Sequence, residues 1–188
     1  MDQAPEADKE AEEEVSAPLP PPEEREAALY RRLDDLGIRH TTFEHAPVFT
    51  VEEAKSLRGT LAGGHTKNLF LKDKKGGLWL VVLREQVRVD LNGLSKQLGA
   101  PRFSFGSADL LIQTLGVPPG SVTPFSLMND RERKVRVVLD AGMLELEPLN
   151  FHPLRNDRTT AVSAADLLAF IRSIGHEPRI ENLPEFAG

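Results

Sequence analysis

Between Glu23 and Leu36 the apolar residues Ala27, Leu29, Tyr30, Leu33 and Leu36 recur near helical spacing, and Gly37 follows. That pattern predicts an amphipathic helix. Thr41 to Glu44 reads as a short strand, and Thr50-Val51-Glu52-Glu53 offers a capping box for a short helix through Leu57. Lys67–Lys72 and Leu78–Leu83 read as strands joined by a hairpin over Asp73 to Gly77. Asp90 is placed to cap a helix through Leu98, and Phe103 to Phe105 suits a strand. Ser107 starts a helix that stops at Gly116. Val135–Leu139 is β-branched, Thr159 to Val162 suggests a last strand, and Ser163 caps a helix running to Ile174 before Gly175. Helices and strands mix without regular βαβ alternation, which predicts an α+β domain with a mixed, largely antiparallel central sheet flanked by helices.

Composition divides the chain unevenly. Its 188 residues suffice for one domain with a sizeable core. Residues 1–25 hold nine acids against Lys9 and Arg25, a net of −7, whereas the whole chain is −6. Residues 26–188 are therefore close to neutral, and the acidity belongs to the Pro-rich start. That stretch has too little apolar surface to offset its ordering entropy and is expected to be a disordered tail, with residues 26–188 as the domain. Cysteine is absent, which removes disulfides, thiol catalysis and thiolate metal sites. No apolar run approaches a membrane span, and the acidic start is unlike a presequence, so a cytoplasmic protein is expected.

Candidate chemistry begins in the loop Gly116-Val117-Pro118-Pro119-Gly120-Ser121-Val122-Thr123-Pro124-Phe125. Two prolines stiffen it and Gly120 permits close approach, which leaves the backbone N–H groups of Gly120, Ser121, Val122 and Thr123 available to an anion or oxyanion. The plainer alternative is a helix stop and a turn into the next strand. A second segment, Gly63-Gly64-His65-Thr66-Lys67-Asn68, puts a lysine at the mouth of an alternating run. Neither a nucleophile elbow nor a His-Glu-x-x-His pattern is present, and the glycine pairs match no nucleotide-binding loop, so no cofactor or metal is expected.

Thr66-Lys67-Asn68, Gly120-Ser121-Val122-Thr123-Pro124-Phe125 and Asn150-Phe151-His152-Pro153 occur in this order, and together they resemble the YbaK/ProX family of trans-editing aminoacyl-tRNA deacylases. The likeness is nearest to the ProXp-ala (PrdX) branch, freestanding relatives of the editing domain inserted in some bacterial prolyl-tRNA synthetases. It covers about Glu26 to the C-terminus. The resemblance implies the editing-domain fold and a misacylated tRNA as substrate, alanyl-tRNA(Pro) above others, with the 2′-OH of the terminal adenosine assisting water attack. Cysteinyl-tRNA(Pro), a seryl or threonyl ester, or a binding module without turnover are the alternatives.

On that basis Lys67 would hold a phosphate or polarise the ester carbonyl, and the Gly120 and Ser121 N–H groups would cradle the oxyanion or the terminal ribose. The simpler account of Lys67 is a solvated strand-end cation. Asn68 would touch the adenosine or orient the loop, Thr123 would brace the loop, and His152 would line the amino-acid pocket or simply pack. Phe49, Val51 and Leu69 complete the expected lining. Lys72, Lys74, Lys75, Arg84, Arg88, Arg131 and Arg133, with Lys134 and Arg136, are the cations expected to meet tRNA, although such runs are also ordinary solvated faces. Expected partners are therefore the acceptor end of tRNA(Pro) and, through the resemblance, prolyl-tRNA synthetase, with neither DNA nor membrane. A monomer is expected and a dimer stays open.

Overall fold

The computed structural model describes residues 17–47, 53, 56 and 61–183. The helix expected over residues 50–57 falls mainly outside them, as do residues 1–16. Helix α1 spans Pro22–Asp35. Its first four residues thus belong to the folded part rather than to the acidic tail. Pro22 suits the first helical position because its missing N–H would have had no partner there.

Among the described residues eight strands follow in two sheets. β1 (Thr41–Glu44), β7 (Arg158–Val162) and β6 (Leu149–Phe151) make a three-stranded antiparallel sheet with β7 central. β2 (Thr66–Asp73), β3 (Leu78–Arg84), β4 (Phe103–Phe105), β5 (Val135–Asp140) and β8 (Arg179–Glu181) form the larger sheet, in the order β4-β2-β3-β5-β8. Its β2–β3 and β2–β4 pairs are antiparallel, whereas β3–β5 and β5–β8 are parallel. The α+β expectation holds, with its mixed sheet split in two. Among the described residues no helix is long and apolar enough to cross a membrane.

Local signals account for the other helices, α2 (Leu91–Leu98), α3 (Ala108–Leu115) and α4 (Ala164–Ser173). Asp90 accepts from the N–H groups of Asn92 and Gly93, Ser107 from Leu110, and Ser163 from Asp166. Each such cap is worth about 1 kcal/mol. Gly99 and Gly116 close α2 and α3 in the left-handed conformation, with φ near +65° and +64°.

The alternation of the larger sheet serves two apolar layers. Phe70, Leu80, Val82, Val137 and Leu139 face a core shared with α1, α3, α4 and the three-stranded sheet. Leu71, Trp79, Val81, Leu83 and Val138 face a second cluster under α2. Leu29 and Leu33, fully buried, anchor α1, each such side chain contributing about 1.5–3 kcal/mol. The Tyr30 hydroxyl meets Glu26 and Thr42, both at 2.8 Å, and ties α1 to the small sheet.

Candidate active site

The site lies where the two sheets meet. Gly64 forms a parallel bridge to Leu149 of β6, and the Asn150 side chain donates to the carbonyls of Ala62 (3.0 Å) and Gly64 (3.2 Å). A Cβ at Gly63 would stand 2.3 Å from the Pro148 carbonyl oxygen, and Gly63 has φ +103°, so the close approach requires glycine there. The Thr66 hydroxyl donates to the Asn150 carbonyl at 3.0 Å, which fixes the start of β2 against β6. Asn68 follows on the same face of β2, and among the described residues its buried side-chain oxygen has no hydrogen-bond partner. The buried Asn150 side-chain oxygen is equally unpartnered. Buried acceptors of this kind are rare and call for an outside donor.

β6 and β7 present the rest. His152, just past β6, donates from Nδ1 to the Arg158 carbonyl at 2.8 Å, which leaves Nε2 as an acceptor. Burial lowers its pKa below the usual 6.5, the Arg158 carbonyl opposes that, and neighbouring His45 adds to the lowering. His45 stands with its ring centroid 6.1 Å from that of His152, and its Nε2 is 2.8 Å from the Thr159 hydroxyl. The histidine at 45 was not among the expected site residues. It precedes Ala46-Pro47 without a motif, and only the β1–β7 pairing carries it to His152.

Because folded His152 holds a proton less tightly than the unfolded chain does, its contribution to stability is complete above about pH 6.5. It is lost as the pH falls through 6.5 toward the lowered value. Wild type should lose more of its thermal midpoint on going from about pH 7.5 to 5.5 than His152→Gln does; equal losses would contradict this assignment.

The segment joining β6 to β7 is held from outside. Arg155, buried, pairs with Glu26 of α1 at 2.9 Å and makes a two-pronged contact with Asp157. Arg25 donates to the Leu154 carbonyl at 3.0 Å. Gly120, exposed and at φ +89°, lies against this segment, the nearest side chain to a Cβ built there being Asn156 at 3.7 Å. The proline loop therefore lies against the segment that joins β6 to β7. The Thr123 hydroxyl caps the following 3-10 helix at Phe125 N–H, and its carbonyl accepts from Ser126.

Several expectations need correction. The Ser121 N–H is not free, because it donates to the Pro118 carbonyl at 3.1 Å in the turn that the prolines set. Leu69 cannot line a pocket with Asn68, since strand alternation turns it to the opposite face, against the cluster under α2. Lys67 leaves the sheet on that same face, and its ammonium donates to the Val87 carbonyl. Burial lowers its pKa. Arg84 is no free cation for tRNA, because its Nε pairs with buried Asp140 at 2.7 Å and its Nη2 donates to the Leu183 carbonyl. Lys134 is paired with Glu132. Lys72, Lys74, Lys75, Arg88, Arg131 and Arg133 are exposed. Phe49 and Val51 lie outside the described residues.

Residues 45–170 match the model of the aminoacyl-tRNA editing domain. The chain belongs to this editing-domain family. A cattle protein named prolyl-tRNA synthetase associated domain-containing protein 1 is 43% identical over 85% of this chain and 95% of its own length. The prolyl-tRNA editing protein ProX of Acetoanaerobium sticklandii is 35% identical over 79% of this chain and 92% of its own. Among solved structures, one provisionally described as a trans-editing enzyme for prolyl tRNA synthetase superposes with a TM-score of 0.66 at 20% identity, over 90% of this chain and 100% of that one. That structural likeness shows the fold, and the sequence relatives show the family.

Proposed function

We propose that this editing-domain protein hydrolyses the ester of alanyl-tRNA(Pro) in trans. The observation that carries the reading is the unpartnered, buried Asn68 side-chain oxygen on the face of β2 that meets β6. With the Asn150 oxygen and the unengaged Nε2 of neutral His152, the site offers acceptors to the α-ammonium group of an aminoacyl ester.

The ester is already activated, so the chain needs only to place water, stabilise the oxyanion and hold the terminal ribose. Among the described residues no acceptor engages the Gly120 N–H, and it serves as the oxyanion donor. Lys67 adds positive charge at the same end of β2. Water adds to the ester carbonyl carbon, the 2′-OH of the terminal adenosine relaying its proton, and the C–O bond to the ribose breaks. Alanine leaves as the free acid and the ribose oxygen takes the proton. Selection rests on size. A synthetase pocket that holds proline cannot exclude alanine strongly, since a missing apolar group is worth about 1–3 kcal/mol, whereas a second, smaller site can reject the ring.

Single-turnover assays on alanyl-, cysteinyl-, seryl- and threonyl-tRNA test this reading. Alanine should be released fastest. Faster release of another amino acid would reassign the substrate, and tight tRNA binding with no release from any ester would leave a binding module.

A further inference from the structure

At the other end of the larger sheet is a cavity of about 560 Å³ lined by Arg133, Arg136, Arg179, His176 and Trp79. The Arg136 guanidinium lies over the Trp79 ring, 5.1 Å from its centroid, with the field of the buried Asp73 carboxylate that Trp79 holds acting on it, and it has no hydrogen-bonded carboxylate partner among the described residues. Arg133, too, makes no side-chain ion pair among the described residues. Its backbone is left-handed at φ +54°, and its guanidinium end lies along Gly175, Nη1 standing 3.1 Å from where a Cβ would be. That is an unfavourable conformation for an arginine, retained beside two other cations.

Nearby acids are already engaged. Glu177 binds Arg172, Glu181 binds Arg179, and Asp130 accepts from the backbone N–H groups of Lys134 and Val135. His176 is almost fully buried in the wall of the cavity. Its Nε2 is 3.5 Å from Asp130 yet has no hydrogen-bond partner. The cavity thus combines two guanidinium groups in no ion pair among the described residues with a buried imidazole nitrogen that has no hydrogen bond among them.

We propose that this cavity is a second binding site, one that takes backbone phosphates of RNA. The tRNA reading supplies the identity of the polyanion. Pairing places Lys67 opposite Leu83 and Arg136 opposite Trp79, so both cations project from one face of the sheet. Four residues along β3 and two strands across separate them by ~16 Å, at about 3.3 Å per residue and 4.8 Å per strand. An RNA strand drawn to the exposed cations can lay a phosphate on Arg133 and Arg136, where guanidinium groups bind phosphate oxygens in pairs.

Trp79 is the chain's one tryptophan, so its emission reports on the cavity directly. The test uses the full chain, uncharged tRNA and inorganic pyrophosphate, with the double variant Arg133→Asn, Arg136→Gln. Asparagine tolerates the left-handed backbone, which protects the fold. Both ligands should shift Trp79 emission saturably in wild type and not in the variant. Between 50 and 200 mM salt the wild type should lose about tenfold more tRNA affinity than the variant, as two lost phosphate contacts require. Binding of pyrophosphate alone would overturn the RNA assignment in favour of a small-anion site. An unchanged salt slope in the variant, or silent Trp79 emission with both ligands, would overturn the proposal. None of these readouts uses ester hydrolysis, so failure of the deacylase reading remains separately visible.

Discussion

Replacing Lys67 with alanine should slow single-turnover release of alanine by about 10²–10³-fold, the loss typical of removing one oxyanion-stabilising group. tRNA binding should largely survive, since the exposed cations Lys72, Lys74, Lys75, Arg131 and Arg133 remain. Lys67 is half-buried at the first turn of the chain into β2, and its ammonium is held by the Val87 carbonyl rather than by a carboxylate. Among the described residues no hydrogen-bonded carboxylate neutralises its charge. Burial, which lowers its pKa, also strengthens its field on a developing negative charge. Truncation removes stem packing as well as charge, so Lys67→Met separates the two. Loss in both variants assigns the effect to the ammonium; retention of more than a tenth of the rate in both would contradict the role.

Asp140→Ala should cost about 3 kcal/mol of folding stability, the lower end of the range for breaking a buried ion pair. Asp140 is fully buried at the end of β5, and it accepts from Arg84 Nε at 2.7 Å, Arg84 N–H at 3.2 Å and Gly142 N–H at 3.1 Å. The alanine variant strands all three donors. Arg84 keeps partial access to water, which limits the loss. The consequence reaches the site, because Arg84 pairs in register with Thr66, so this ion pair clamps the end of the sheet that carries Lys67 and Asn68. Urea unfolding measures the effect directly. A loss under about 1 kcal/mol would show that water takes over the role of Asp140.

These two residues also show what could be read from the sequence. Elements that announce themselves locally were legible: Asp90, Ser107 and Ser163 before apolar helical spacing, Gly99 and Gly116 after it, and the alternation on either side of Gly76-Gly77. β6 and β8 were not, because each has only three residues and neither shows alternation. β6 exists because Gly64 and β7 flank Leu149–Phe151, and β8 because β5 offers an edge. The motif around Lys67 and Asn68 was visible, but not that the two residues leave the sheet on opposite faces. Arg84 looked like one more surface cation. Its partner lies 56 positions away, and the only hint was an acid closing the β-branched run at Asp140. His45 and the unpartnered amides of Asn68 and Asn150 likewise depend on contacts between segments far apart in the chain.

On the proposed reading, this fold removes a small amino acid from tRNA(Pro) and spares the large correct one. Single-turnover hydrolysis of alanyl-tRNA(Pro) beside prolyl-tRNA(Pro), with the full-length protein, tests it most directly. Alanine should be released rapidly, and the prolyl ester should decay at the rate seen without protein. Equal hydrolysis of both esters, or bound tRNA with neither ester cleaved, would contradict it.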